Sequence, residues 1–494
     1  MQAPASCDLL VIGGGVNGAA IARDAAGRGL KVVLAERDDL ASGTSQASSK
    51  LIHGGLRYLE QYEFRLVRES LAEREVLLRS APHLVRPMTF LLPWTEGLRP
   101  IWMLRLGMAL YDRLGGRNSL PRSKRIRLRR SNLGRGLQNH LTFGFTYSDC
   151  WVDDARFVVA LARDAAGHGA HVLTRTTVEQ LTPDSGGWKA QLRDSGGSHM
   201  LSCRLVVNAA GIRVGPVAAS AGINKPPAVR LVKGSHIVVP RVHAGEHALI
   251  LQNSDDRVVF VLPFEDRFSL IGTTDTPIED PSREHVVDDD EVDYLLSAVR
   301  PYLKQALGPD DVVWSFAGTR PLKDDGDDNP SAVSRDYALD LAVRDGAAIL
   351  NVIGGKITTS RKLAEAVMER LAPLITLGKT WTASAILPGG DIESLDALIG
   401  ELQSARPELS PRWLTGIARR HGGLAHEILG DALISDDLGH HFGAGLTERE
   451  IAWMIENEWA RTAEDILWRR TKTGLLMTPD QRQAVDVRFK SPTK

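Results

Sequence analysis

Residues 8–50 constrain this chain more than any other stretch. Residues 9–12 form a short apolar run that reads as a buried strand, and Gly13, Gly15 and Gly18 follow in G-x-G-x-x-G spacing. An alanine-rich helix runs to about Arg28, Gly29 punctuates it, and residues 31–35 read as a second strand with Glu36 at its end. Together these make a strand–helix–strand dinucleotide site. Gly13 allows the tight turn, Gly15 lets the backbone approach a pyrophosphate, and Gly18 lets the helix pack against the strand. The helix N-terminus favours phosphate charge. A carboxylate at Glu36 can bond a ribose 2′-hydroxyl and would repel a 2′-phosphate, which disfavours NADP. The motif by itself leaves FAD and NAD open.

A chain of 494 residues has room for two or three domains. A net charge of −1 gives no global reason to bind nucleic acid. Cys7, Cys150 and Cys203 share no metal-ligand spacing, so no metal is expected and a reduced, cytoplasmic setting fits. The chain enters its first strand almost at once, and no cleavable signal peptide is expected. No apolar stretch approaches the ~20 residues that span a bilayer. Residues 100–114 are nevertheless apolar on most sides. Arg122, Lys124, Arg125, Arg127, Arg129, Arg130 and Arg135 follow with no acid between them. An apolar helix beside a basic cluster suits an anionic lipid interface, and a core helix followed by a solvated basic loop fits the same pattern.

Residues 171–174 and 205–209 read as further strands of the first unit. Residues 231–240, 248–252, 258–263 and 268–272 read as antiparallel strands, with turn chemistry at Glu265-Asp266-Arg267. Residues 347–353 form a strand that runs into Gly354-Gly355 and a helix from 358 to about 371, repeating the logic of the first motif. The expected organisation follows. Residues 1–80, 150–225 and 340–390 make one discontinuous dinucleotide-binding domain. Residues 81–149 are an insertion suited to membrane contact, 226–339 a β-rich substrate-binding domain, and 391–494 a C-terminal helical domain. In the last, Thr447 and Glu450 fit a capping box, and Trp453, Trp459 and Trp468 are expected to be packing residues.

Residues 42–50 form a hydroxyl-rich loop after the Glu36 strand, where donors can serve a phosphate-bearing cofactor. The loop runs into SSKLIHGGLRYLE. With GGGVNG before it, that stretch resembles the aerobic, respiratory FAD-dependent glycerol-3-phosphate dehydrogenase family. YSDCWVDDARFV, RLVKGSHIVVPRVH, FSLIGTTD, GTRPLKDD, SRDYALD and IGGKITTSRKLAE look like the same family, over about residues 8–390. The resemblance implies an α/β fold. It would hold a Rossmann-like FAD-binding domain of the glutathione-reductase/D-amino-acid-oxidase type, an inserted antiparallel β substrate domain and a C-terminal all-helical domain. It implies non-covalent FAD and oxidation of sn-glycerol 3-phosphate to dihydroxyacetone phosphate by hydride transfer to flavin N5. Electrons would pass to membrane quinone. The protein would be peripheral, on the cytoplasmic side of the inner membrane and partly soluble, and a homodimer is compatible with the family.

Motif matching assigns Gly13, Gly15, Gly18, Glu36, Arg37, Thr44, Ser45, Ser49, Lys50, Gly54, Val178, Gly211, Gly355, Lys356 and Thr358 to the cofactor. Lys356 would favour negative charge on reduced flavin. A phosphate dianion needs cations with directional donors, which the arginine fork supplies. Arg57, Arg320 and Arg335 match family positions for that role, and Tyr58 and Thr274 add hydroxyls. Oxidation at a secondary carbon also releases a hydroxyl proton, and His53 and His236 are both candidate bases. Arg320 either binds phosphate or stabilises the developing alkoxide. The chain departs from the family at Gly211-Ile212-Arg213, where relatives show Gly-Pro-Trp, and at Ser42-Gly43-Thr44, where they often carry Cys-Ala-Thr. Neither change touches an expected catalytic residue. An oxidase of the same fold and a flavin-binding protein without turnover are the competing readings. The 100–135 segment argues against the first, and the clustered arginines and histidines against the second.

Overall fold

The computed structural model describes residues 4–59, 62–95, 100–116, 118–255, 257–279, 285–323 and 336–490. Strand Ser6–Ile12 lies between Val32–Ala35 and Gly197–Asn208, parallel to both, and Gly197–Asn208 pairs in parallel with Ala347–Ile353. His171–Leu173 and Ala338–Arg344 close the two edges. Leu9, Leu10 and Val11 are fully buried, because the sheet is covered on both faces. One face packs on helices Val16–Gly27, Asp154–Gly167 and Ser360–Leu371. The other packs on the antiparallel strands Thr177–Asp184 and Gly187–Asp194, whose Trp188 donates to the carbonyl of Ala348 at 2.9 Å. Each such fully buried aliphatic contributes roughly 1.5–3 kcal/mol.

Three separated stretches of chain therefore build one sheet. Gly13, Glu36, Gly211 and Gly354 all follow the carboxyl ends of its parallel strands. That edge is where ligands bind in open α/β sheets.

The second sheet runs Thr276–Pro277, Val229–Pro240, Phe268–Gly272, Val258–Phe264, Ala248–Gln252, Val85–Pro93, Phe143–Val152, Leu51–Ile52, with Trp314–Lys323 beside Val229–Pro240. Residues 81–149 are thus no separate insertion. Their strands Val85–Pro93 and Phe143–Val152 pair with each other, and Val85–Pro93 pairs with Ala248–Gln252, so they complete the sheet of the β-rich region. Alternation of apolar residues in residues 85–93 is interrupted by Arg86, Pro87 and Thr89, which hides the strand from a periodicity reading.

The C-terminal part is helical from Leu395–Ala405 to Pro479–Lys490, with its own core around Trp413, Leu414, Ile451 and Trp453. It is not all-helical, since His441–Gly443 and Leu446–Thr447 form a short ribbon. Thr447 caps the helix Glu448–Asn457 by accepting from the Glu450 N–H. Trp453 is buried, Trp459 packs on the first core, and Trp468 stacks on Trp314 at 4.9 Å, so all three tryptophans pack.

Candidate active site

The cofactor cradle is shaped by what its glycines lack. Gly13 sits at φ +109°, and a Cβ there would lie 2.5 Å from the carbonyl of Ala209. A Cβ on Gly18 would fall 1.8 Å from the Gly13 carbonyl, which explains the close helix–strand packing. A Cβ on Gly15 would stand 3.0 Å from Ser45 Oγ, which accepts from the Val16 N–H at 2.9 Å. Helix Val16–Gly27 has no acidic residue in its first turn, so its positive end is left to an anion. Glu36 accepts from the Gly14 N–H at 2.6 Å and from the Asp38 N–H at 2.8 Å. Burial still raises its pKa against those bonds. A narrow backbone turn, a helix start and an acid at the next strand end fit an adenine dinucleotide. Gly211 adopts φ +59° with open space beside it. Arg37 is exposed and pairs with Asp38 at 2.9 Å. Val178 packs against the core beneath the sheet.

Three further segments meet at the far end of this cradle. Thr44 Oγ1 donates to the Thr319 carbonyl at 2.6 Å, which ties the hydroxyl-rich loop to the strand that carries Arg320. Asn17 Nδ2 donates to the Gly354 carbonyl at 2.9 Å, which ties the first turn to the second glycine pair. Gly355 needs its φ of +97°, and a Cβ there would meet Leu363 at 2.7 Å. The His53 N–H bonds Thr358 Oγ1 at 3.3 Å, and Lys356 Nζ lies 3.7 Å from the centre of the Tyr58 ring. His53, Tyr58, Lys356 and Thr358 are thereby brought together. Arg57 is half-buried on the same short helical turn as Tyr58, Leu56–Leu59.

The two histidines differ sharply. His236 is 2 % exposed, stacks on Phe316 at 4.9 Å and has Nε2 2.9 Å from Ser49 Oγ. Burial, with Lys50 and Arg320 nearby, pushes its pKa down to about 3, so it is neutral at ordinary pH. His53 is half-buried at the start of the Gly54-Gly55 turn. Arg320 pairs with Asp275 and passes close to Gly234, where a Cβ would stand 2.9 Å from its Nη2.

Some expected contacts go elsewhere. Lys50 is 1 % exposed, and its ammonium bonds both Asp154 oxygens at 2.9 Å, so its side chain braces the loop instead of reaching a cofactor. Thr274 is 1 % exposed; it donates to Glu291 at 2.8 Å and accepts from the Ser235 N–H at 2.9 Å, which turns it away from a substrate. Arg335 lies outside the described residues.

Other residues that shape the site are not singled out by the sequence, although Asp149 lies in the YSDCWVDDARFV stretch. Asp149 accepts from Tyr111 at 2.7 Å and from Arg74 at 2.9 Å, and Tyr111 lies 2.9 Å from the Gly54 N–H, so this buried group holds the His53–Gly54 turn. Asp39 accepts from Arg469 at 2.6 Å and from Arg470 at 2.6 and 2.8 Å, while Arg175 bonds Asp465 at 2.7 Å. The C-terminal turn Asp465–Arg470 thus grips the loop that follows Glu36. Among the described residues no cluster of three or more acids, histidines or cysteines could hold a metal.

Comparison with known proteins agrees with this geometry. Residues 8–361 match the FAD dependent oxidoreductase family, and residues 380–488 match the C-terminal domain of alpha-glycerophosphate oxidase. The D-erythritol 1-phosphate dehydrogenase of Brucella abortus is 49% identical over 98% of this chain and 98% of its own. The glycerol-3-phosphate dehydrogenase of Pseudomonas aeruginosa is 49% identical over 96% and 93%. The aerobic glycerol-3-phosphate dehydrogenase of Escherichia coli is 47% identical over 97% and 96%. The glycerol-3-phosphate dehydrogenase of Bacillus halodurans complexed with FAD has the same fold, with a TM-score of 0.76 at 24% identity over 98% and 94% of the two chains. A cradle shaped for an adenine dinucleotide, matched along nearly its whole length by flavoenzymes, places this chain in the FAD-dependent oxidoreductase family, with FAD as its cofactor.

Proposed function

We propose that this enzyme oxidises sn-glycerol 3-phosphate to dihydroxyacetone phosphate and passes the electrons to membrane quinone. The observation that carries the reading is the meeting of His53, Tyr58, Lys356 and Thr358 at the end of the cradle, with the strand that carries Arg320 tied to the cofactor loop through Thr44, in a chain that matches two glycerol-3-phosphate dehydrogenases along more than nine-tenths of its length. Bound FAD supplies a hydride acceptor at N5. The protein supplies the rest. Arg320, fixed by Asp275, presents a guanidinium to the phosphate or to the developing alkoxide. His53 takes the hydroxyl proton. His236, held neutral and packed on Phe316, is too weak a base for that task and orients Ser49 instead. Lys356, beside Tyr58, offers positive charge where the reduced cofactor gains negative charge.

Membrane docking has its own support. Helix Ile101–Leu114 buries Leu104, Met108 and Tyr111 and exposes Trp102, Met103, Leu106 and Leu110 on its other side. A core helix would not show a second apolar face, and Trp102 is 65% exposed. The exposed, cationic strand Lys124–Arg127 follows in sequence. Those features fit an anionic lipid interface. No helix among the described residues is long and apolar enough to cross a membrane.

The Brucella abortus relative favours a second substrate, D-erythritol 1-phosphate, at the same site. An anaerobic visible spectrum of the purified enzyme tests both. Bleaching of the flavin band by sn-glycerol 3-phosphate, faster than by D-erythritol 1-phosphate, is the expected result. Bleaching by the longer polyol phosphate alone would transfer the assignment to it, and bleaching by neither would end the polyol-phosphate reading.

A further inference from the structure

A cleft of about 800 Å³ opens between the β-rich region and the C-terminal helices, and none of the residues assigned to cofactor or substrate lines it. Trp151, Phe264, Trp413 and Leu476 are among the residues that line it. Its charges are unevenly matched. Arg241 pairs with Glu246, Arg419 with Asp266 and Arg420 with Glu450. Arg86, Arg267 and Arg412 also line the cleft and, among the described residues, form no ion pair.

Arg86 is the most telling of the three. Its guanidinium lies 4.3 Å from the Trp151 ring centre, and its Nε has no hydrogen-bond partner. Burial and the neighbouring Arg419 lower its pKa. Glu265, Asp153 and Asp266 act on it in the opposite direction. Two further donors point the same way. Trp413 is 9% exposed with an unpartnered Nε1, and Lys472, between the lining residues Thr471 and Thr473, is 3% exposed with an Nζ that makes no hydrogen bond. Asp153 is 3.8 Å from that ammonium, too far to bond it directly.

Six arginines line the cleft against the four carboxylates of Asp153, Glu246, Glu265 and Asp266, and that excess of positive charge favours an anion. Several forked donors match a phosphate dianion. The volume exceeds what inorganic phosphate fills and falls within the range of small-metabolite pockets. We propose that this cleft is a second ligand site, which binds a small organic phosphate with an aromatic or apolar portion through Arg86, Arg267 and Arg412, with that portion against Trp151 and Trp413.

The test is calorimetry on the FAD-loaded enzyme with two probes, inorganic phosphate and adenosine monophosphate. The Arg320→Ala background removes binding at the substrate site. In that background a phosphate-binding site remains, and it takes adenosine monophosphate more tightly than inorganic phosphate. Arg86→Gln weakens binding at least roughly tenfold. The pair Arg267→Gln and Arg412→Gln, both on the exposed rim where folding is not at stake, does the same. Loss of all binding on Arg320→Ala alone, equal affinity for the two probes, or rim variants that bind as the parent does would each overturn the proposal.

Discussion

Arg470 forks onto Asp39, its Nη1 2.6 Å from one carboxylate oxygen and its Nη2 2.8 Å from the other, across a separation of 431 residues. Both side chains are almost completely buried. Asp39 lies three positions beyond Glu36, in the loop that returns to the first turn through the Ala41 N–H and the Gly14 carbonyl at 3.0 Å. The C-terminal domain therefore braces the cofactor cradle directly. Removing Arg470 takes two charge-assisted bonds from the buried Asp39 and leaves it bonded to Arg469 alone among the described residues, a cost of roughly 1.5–3 kcal/mol for each bond lost. Arg470→Leu is expected to lower Tm and to release FAD on dilution, read as the ratio of flavin to protein absorbance after gel filtration. An unchanged ratio and Tm would remove the brace.

At the reacting end, Arg320→Ala is expected to keep the yellow colour and lose about 10²–10³-fold in substrate-driven flavin reduction, as removal of a cation aimed at developing charge does. His53→Gln should lose a comparable factor, in the range typical for a general base. His236→Asn should cost less in rate and more in stability, because its ring packs on Phe316. Stopped-flow bleaching separates the three. A His236 variant slower than the His53 variant would exchange their roles.

Acid should weaken the fold through histidines buried in the neutral form. Burial holds His83, His236 and His243 down to about 3 and His247 to about 4. His243 and His247 stack at 4.4 Å, so charging both is also repulsive. Between those values and the ordinary histidine pKa near 6.5, the unfolded chain binds more protons than the native one. Stability then rises with pH across that window and is lost on acidification. Each such group contributes up to about 1.4 kcal/mol per pH unit. Tm measured from pH 7 to pH 4 should fall steadily, and His243→Phe should flatten the slope. A flat profile for the parent enzyme would contradict the assignment.

The exposed side of helix Ile101–Leu114 should set membrane affinity. Trp102→Ser with Leu106→Ser is expected to abolish sedimentation with vesicles of anionic lipid while leaving flavin reduction intact. Glutamine in place of the basic residues between 122 and 135 should weaken binding mainly at low salt. Full binding by both variants would leave this face without a lipid role.

The cradle was legible because its physics is local. A turn that must admit backbone and phosphate requires glycine at Gly13, Gly15 and Gly18, and the following strand places Glu36 a short way along the same chain. The Gly354-Gly355 turn and the Thr447 cap are read by the same logic. The strand Val85–Pro93 was not legible, since its alternation is broken and its partners, Phe143–Val152 and Ala248–Gln252, lie far along the chain. Lys50 and Thr274 show the limit at the site. Both stand in motif positions, and their partners Asp154 and Glu291, 104 and 17 residues away, turn them inward.

Backbone sterics and short spacings, which act within one segment, were enough to specify a dinucleotide site at a strand–helix turn and the side chains that could serve the chemistry. Tertiary structure alone decided which histidine is neutral and packed, which arginine is fixed by Asp275, and that residues 465–470 grip the loop after Glu36. Those outcomes depend on burial and on charge pairs formed between distant segments, and neither exists until the chain has folded.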